Sequence, residues 1–183
     1  DNSHPQIMSR TGPILLFLAK TGNLLVSDLD LVWAAGENKH ESLVHIVYAL
    51  FAEICSALQM EHIEYLFAAK IRPINPSVFD APTFTLLRSL SLAAIPLKPP
   101  PSSDGAEEDL TKSSRFFGIH FAWDMLQDGN YELLSKDSKG HAFQVVRDFL
   151  GWQLCFELRE LFITRCIANL KRFTTISMSL KVA

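Results

Sequence analysis

Residues 15–50 read LLFLAKTGNLLVSDLDLVWAAGENKHESLVHIVYAL, and this stretch predicts three short helices in succession. Pro13 is expected to open the first helix, because proline loses no hydrogen bond at the first helical position. Gly22 is expected to close it, since glycine tolerates the left-handed turn that follows many helices. We expect Ser27 to cap the second helix with its hydroxyl, and Gly36 to end it.

The rest of the chain also reads as helices, because apolar residues recur every three or four positions. A helix over 40–58 and another over 60–69 are predicted to form an antiparallel pair. Later helices are predicted to start at Ser77 or Asp80, to start at Ser113 or Ser114, to cover 141–150, and to cover 152–173. No strand-like alternation interrupts them. The sequence therefore predicts an all-α fold of stacked antiparallel helix pairs, either an armadillo/HEAT-like superhelix or an irregular helical bundle.

The domain organisation is predicted to be a single helical block over 1–183. It would consist of N-terminal helices in 1–95, a Pro/Ser/acidic loop in 96–112 and C-terminal helices in 113–183. We expect the loop to be solvated and open to cleavage, with a docking motif for a proline-binding domain as the alternative. Apolar residues make up 48% of the chain and the mean hydropathy is +0.14, which predicts a fragment of a longer chain whose neighbours cover apolar surface.

The first 41 residues contain a dense pattern that resembles a known family. The residues that carry it are Leu16, Phe17, Leu18, Lys20, Gly22, Leu24, Asp28, Leu29, Asp30, Leu31, Trp33, Lys39, His40 and Glu41. They are similar to a segment in the non-catalytic helical region of very large ubiquitin-specific proteases of the fat-facets type. The resemblance implies a cytoplasmic scaffold segment of a deubiquitinase. Its implied partners are proteins, namely substrates, ubiquitin-pathway partners or the catalytic domain of the parent protein.

The cysteines and histidines do not reproduce the catalytic motifs of that family. Its members use a cysteine nucleophile oriented by a histidine. The Gly-Asn-Thr-Cys type cysteine box is absent here, and Gly140-His141 lacks the aromatic context of the histidine box. We therefore assign no catalytic residue, and expect Cys55, Cys155 and Cys166 to be reduced thiols in the core. The resemblance implies a thiol protease as the parent, whereas this fragment is expected to have no activity of its own.

Metal and cofactor sites are also not predicted. His40-Glu41 followed by His45 is one residue too long for the zinc-protease signature, because histidines five apart diverge by about 140° around a helix. Three further histidines have no second ligand at metal spacing, namely His4, His62 and His120. No glycine-rich phosphate cradle is present. The acidic cluster Glu107-Glu108-Asp109 is expected to be a solvated part of the loop.

Charge and hydropathy argue against two classes of partner. The chain has 17 basic and 20 acidic residues and a net charge of −3, so no concentrated positive patch for nucleic acid is visible. Uninterrupted apolar runs of about seven residues are far shorter than the roughly 20 that a membrane-spanning helix needs. Trp33, Trp123 and Trp152 are predicted to be core side chains, with exposed partner anchors as the alternative.

Two other functional classes remain open on the sequence. One is an independent all-α adaptor or trafficking protein unrelated to ubiquitin, in which the family pattern arises from helix-forming rules alone. The other is a small helical enzyme with an unrecognised site. Such an enzyme would need polar residues that converge on the inner helix faces, where the periodicity places aliphatic side chains.

Overall fold

A computed structural model of the protein describes residues 5–97, 110, 113–175 and 179. Within these residues every regular element is helical, which confirms the predicted all-α class. The α-helices are α1 (Pro5–Thr21), α2 (Val26–Ala34), α3 (Glu41–Ile54), α4 (Met60–Tyr65), α5 (Ala81–Ala94), α6 (Phe117–Met125), α7 (Asn130–Leu133), α8 (Lys136–Gly151) and α9 (Phe156–Lys171). None of the helices described here is both long enough and apolar enough to cross a membrane.

Short helical turns of other types connect these elements. The 3-10 turns are Cys55–Ala57, Pro76–Val78, Ser114–Phe116 and Gln153–Cys155, and a π-helical turn covers Leu66–Ile71.

Several predictions fall outside the described residues. They concern His4, most of the loop predicted in 96–112 with its acidic cluster Glu107-Glu108-Asp109, and most of the segment after 175.

The chain divides into two compact units over the residues that the structure describes. The first has the bounds Asp1–Ile74 and Thr85–Lys98, and the second has the bounds Asn75–Phe84 and Pro99–Ala183. The division falls inside α5. The predicted single block over 1–183, with its three subdivisions, stays a prediction.

The first unit has a core in which α1 packs against α3. The Trp33 ring lies against the rings of Tyr48 and Phe51, with centroid distances of 5.3 and 5.8 Å. The fully buried side chains of this unit include Leu29, Phe51, Ile54, Ile63, Leu66, Leu87 and Leu90. The prediction that Trp33 is a core residue is confirmed.

The first helix ends as predicted but begins earlier. Gly22 has φ +71°, and the N–H groups of Gly22 and Asn23 donate to the carbonyls of Ala19 and Leu18 at 3.2 and 2.9 Å. The prediction that Pro13 opens the helix is wrong, because α1 already begins at Pro5. The buried positions of α1 share one face and include Met8, Gly12, Leu15 and Ala19. Packing of this face against α3 offsets the backbone hydrogen bond that the exposed proline cannot donate.

The start of α2 also differs from the prediction. Ser27 is not the cap, because the helix starts at Val26 and Leu25 is the N-cap residue. The Asp28 carboxylate accepts a hydrogen bond from the Leu25 N–H at 2.9 Å. A carboxylate at this position satisfies an amide that the helix leaves unpaired, and it also complements the helix dipole.

In the second unit, α6 packs against α8, and α9 lies beside them. The Ser138 hydroxyl donates to the backbone carbonyl of Phe79 at 2.6 Å, which ties α8 to the chain before α5. The Phe162 ring of α9 meets the Trp123 ring edge to face at 4.9 Å. Trp123 is buried, so its predicted place in the core is confirmed.

Two helix boundaries in this unit correct the predictions. The helix predicted over 141–150 begins at Lys136, because the Ser135 hydroxyl accepts a hydrogen bond from the Ser138 N–H at 3.1 Å and so caps it five residues earlier. The helix predicted over 152–173 is shorter and covers Phe156–Lys171. Trp152 is extended, with φ −83° and ψ 137°, and therefore separates α8 from the 3-10 turn that leads into α9.

Gly22→Ala and Gly140→Ala are expected to change stability in opposite directions. Alanine at Gly22 must keep φ near +71°, which costs roughly 1–2 kcal/mol for a residue with a Cβ. Gly140 lies inside α8, with nothing within 4 Å of an added Cβ, so alanine should stabilise the helix by roughly 0.5–1 kcal/mol. Denaturant unfolding of each variant measures whether its free energy of unfolding rises or falls. A loss of stability in both would contradict the assigned backbone of Gly140.

Candidate interaction surface

The three cysteines are buried free thiols, as predicted. Burial raises the pKa of Cys55 to about 12 and that of Cys155 to about 11, and it also raises the pKa of Cys166. The Cys55 thiol donates to the Ala52 carbonyl at 3.2 Å. Because the thiolate is the nucleophilic form, thiols with raised pKa values are poorly suited to nucleophilic catalysis at neutral pH.

The histidines of the first unit have different surroundings. His40 is the N-cap of α3, and its Nδ1 accepts a hydrogen bond from the Ser42 N–H at 3.2 Å. His45 lies one turn after Glu41, with 3.6 Å between Nε2 and Oε1. His62 is buried in α4, and its Nδ1 has no hydrogen-bond partner among the described residues. The absence of a metal site stays a prediction.

His120 in the second unit is part of a packed cluster that the sequence did not reveal. Its Nε2 lies 2.7 Å from the Leu110 carbonyl oxygen, and its Nδ1 lies 3.1 Å from Nη1 of Arg165. Because a guanidinium can only donate, Nδ1 accepts and the Nε2–H donates, so the imidazole is neutral. The ring stacks on Phe162 at 5.6 Å, and burial lowers the pKa of Arg165. The cluster holds α9 against α6.

His141 and its neighbour Gly140 lie in α8. The His141 ring stacks on the Phe84 ring at a centroid distance of 6.0 Å. Gly140 has nothing within 4 Å of the position of an added Cβ. Both residues are therefore part of a helix in the second unit, where His141 has a packing contact.

A polar cluster in the first unit joins α2 to the end of α4. The Tyr65 hydroxyl donates to Oδ1 of Asp30 at 2.6 Å, and Nζ of Lys70 lies 2.7 Å from the same oxygen. Hydrogen bonds from Lys70 and then from Tyr65 hold the pKa of Asp30 below its usual value. The same contacts raise the pKa values of Lys70 and Tyr65. This cluster was not predicted, because Asp30 lies 35 residues from Tyr65 in the chain and still further from Lys70, which is in the π-helical turn.

Exposed apolar side chains form a surface on α1. Ile14 and Phe17 lie one turn apart on the side opposite the buried face, and Phe17 is 65% exposed. Arg10 and Lys20 are exposed on either side of them along the helix. No acidic residue occurs in α1. We call Arg10, Ile14, Phe17 and Lys20 the α1 stripe, a basic apolar surface that the core of the first unit does not cover.

A second exposed face lies on α9, within the second unit. Phe156, Ile163 and Ile167 are exposed, and they fall on one side of the helix. Trp152, just before α9, is 37% exposed, so the prediction that it belongs to the core is wrong. The reason is its extended backbone between two helices, which keeps its side chain out of either helical face.

The match to a protein-family model falls in the first unit. The family model described as UBP24/USP9X/USP9Y ARM repeat matches residues 2–74. "Probable ubiquitin carboxyl-terminal hydrolase FAF" of Drosophila melanogaster is 37% identical over 70 residues, which is 38% of this chain and 2% of that protein. "Ubiquitin carboxyl-terminal hydrolase 9X" of Mus musculus is 37% identical over 68 residues, 37% of this chain and 3% of that protein.

The family model covers α1 to α4 and the π-helical turn, which together carry the α1 stripe and the Asp30 cluster. The chain spans only 2–3% of the length of these curated relatives. The armadillo-like alternative of the predicted fold agrees with an ARM-repeat model. Over residues 2–74 the chain is therefore similar to the ARM-repeat region of fat-facets type ubiquitin carboxyl-terminal hydrolases, which confirms the resemblance found in the sequence.

Proposed function

We propose that this chain is a non-catalytic scaffold segment of a large cytoplasmic, thiol-dependent deubiquitinase, and that it binds other proteins. The observation that carries the proposal is the exposed α1 stripe inside the residues that match the ARM repeat. The buried cysteines, with their raised pKa values, support a role without covalent catalysis.

The chemistry of the α1 stripe defines the partner that fits it. Ile14 and Phe17 offer an apolar centre, and burial of such side chains stabilises a complex by about 25 cal/mol per Å². Arg10 and Lys20 add positive charge at both ends of this centre. The complementary partner is an acidic segment with apolar side chains, such as an amphipathic helix. Opposite charges would also steer the encounter and make it depend on salt.

A photo-crosslinking phenylalanine analogue in place of Phe17 tests this binding in the parent protein. Mass spectrometry of the adduct identifies the captured segment, which is then made as a peptide and titrated against the 183-residue chain. We expect Phe17→Ala to weaken binding of this peptide roughly 10- to 100-fold. Leu31→Ala, at an aliphatic side chain on α2 that is 75% exposed, is the matched control and should leave binding unchanged.

Other results of the crosslinking would overturn the proposed binding. A captured segment without acidic residues contradicts the stated chemistry. Capture of an adjoining helix of the same chain would show that the α1 stripe is an internal packing face. Equal binding by wild type and Phe17→Ala would also reject it.

The deubiquitinase part of the proposal has a separate test. We expect the parent protein to react with a ubiquitin probe that carries a cysteine-reactive C-terminus, at a cysteine outside residues 1–183. If the parent protein does not react with the probe, the deubiquitinase part of the proposal is wrong. An independent adaptor or trafficking protein unrelated to ubiquitin would then remain.

A further inference from the structure

The face of α9 that the second unit leaves exposed has a regular composition. Phe156, Glu160, Ile163, Ile167 and Lys171 recur at steps of three and four residues, and all five are exposed. At 3.6 residues per turn they fall within about 80° of one another around the helix. We call these five residues the α9 stripe. Its opposite side is in the core and consists of Leu158, Phe162 and Cys166.

Phe173, just beyond α9, is in an unusual backbone conformation. Its φ is +57°, and it is 82% exposed. The Phe173 N–H donates to the Leu170 carbonyl at 3.2 Å, and the Thr174 N–H donates to the Asn169 carbonyl at 3.0 Å. Glycine is the usual residue at this place in such a capping motif, because a Cβ is disfavoured at positive φ. A large apolar side chain that is both strained and exposed to water does not serve the folding of this unit, and it indicates a binding role.

Charge is distributed along the α9 stripe in a way that fits a second copy. Glu160 lies towards the N-terminal end and Lys171 at the C-terminal end of the same face. In an antiparallel pair with a two-fold axis at position 165, Ile163 of one copy faces Ile167 of the other. The same arrangement brings Glu160 next to Lys171, and it brings Phe156 to the end of the partner's α9, which Phe173 follows in the chain. A parallel pair would instead place like charges together.

We propose that two copies of this chain associate through antiparallel packing of their α9 stripes, with Phe173 at each end. This is an isologous contact, in which the same surface of both copies pairs with itself. Opposed helix dipoles favour the antiparallel arrangement as well. The proposal concerns the second unit only, so it is independent of the function proposed for the α1 stripe.

The size of the face sets the expected affinity. One helix of 16 residues is roughly 24 Å long, so two such faces bury roughly 1,000 Å² in total. This value is at the lower limit of specific interfaces. We therefore expect a dissociation constant in the micromolar range, with a reversible dimer.

Sedimentation equilibrium of the 183-residue chain over roughly 1 to 300 µM tests the dimer. Phe173→Gly is the most informative variant, because it has opposite effects on folding and association. It should raise the melting temperature by a few degrees, since glycine relieves the strain at positive φ. It should also weaken the dimer roughly 10-fold or more. Loss of association therefore cannot be ascribed to unfolding.

Charge reversal tests the antiparallel register. Glu160→Lys and Lys171→Glu are each expected to be monomeric, because each places two pairs of like charges in the dimer. A mixture of the two variants is expected to form heterodimers, in which every pair is again of opposite sign. Val78→Asp, at an exposed position elsewhere in the second unit, is the matched control and should leave the dimer intact.

Three results would overturn the proposal. The first is a monomer at every concentration, which would assign the α9 stripe to another partner. The second is a dimer that Phe173→Gly and both charge reversals leave unchanged. The third is a mixture of the two charge variants that remains monomeric.

Discussion

Phe162→Ala is expected to lower the free energy of unfolding of the second unit by about 3–5 kcal/mol. Phe162 is fully buried, and its ring contacts the Trp123 ring at 4.9 Å and the His120 ring at 5.6 Å. The Arg165 guanidinium carbon lies 5.0 Å from the centre of the same ring. Truncation would leave a cavity between α6 and α9 and would remove the surface on which the partly buried guanidinium rests.

Denaturant unfolding in dilute solution, followed by circular dichroism and tryptophan fluorescence, measures this loss. Phe156→Ala is the matched control, because it makes the same substitution in the same helix at a side chain that is 65% exposed. We expect the control to change the free energy of unfolding by about 0.5 kcal/mol or less. Equal losses in the two variants would contradict the assignment of the buried face of α9.

The folded chain is expected to resist alkylation at its cysteines. Compared with a thiol at its ordinary pKa of 9.0, Cys55 with a pKa of about 12 has roughly 1,000-fold less thiolate at neutral pH. The corresponding factor for Cys155, with a pKa of about 11, is roughly 100. Burial of both sulfur atoms hinders the reagent further. Labelling by iodoacetamide should therefore be slower in the folded chain, by roughly these factors.

Mass spectrometry of labelled peptides, with and without denaturant, gives the rate at each cysteine. A cysteine that reacts at the same rate in both conditions would contradict its burial and would remove one support for a non-catalytic role.

The raised pKa values also have a consequence for stability. The thiols have higher pKa values in the folded state than in the unfolded state. Their contribution to the free energy of unfolding is therefore fully present below about pH 9, and it is lost as the pH rises towards 12.

Local sequence signals predicted several features of this protein correctly. The all-α class follows from apolar residues at helical spacing, and Gly22 ends α1 because glycine accepts the φ of +71° found there. The three cysteines are buried as their apolar surroundings indicated. The family resemblance likewise depends on the order of residues alone and falls within residues 2–74.

Other features depend on neighbours that are distant in the chain. The Asp30, Tyr65 and Lys70 cluster forms only because packing brings α2 against the end of α4, across at least 35 residues. Pro13 lies inside α1 because packing of the buried face against α3 outweighs the local cost of one missing hydrogen bond. Helix propensity is a local property of one residue, so it includes neither the contacts of the Asp30 cluster nor the packing of α1 against α3.

The last helix shows the difference most clearly. Within the predicted helix over 152–173, apolar residues recur at helical spacing at Cys155, Leu158, Phe162, Cys166, Leu170 and Phe173, and the first four of these are buried. Periodicity thus determined which residues of this segment could form its core. It could not determine that Phe173 lies outside this buried face, because that follows from the left-handed turn after α9. Nor could it show that Phe156, Ile163 and Ile167 stay exposed, since a sequence places apolar residues on a face and only tertiary packing decides which faces are covered.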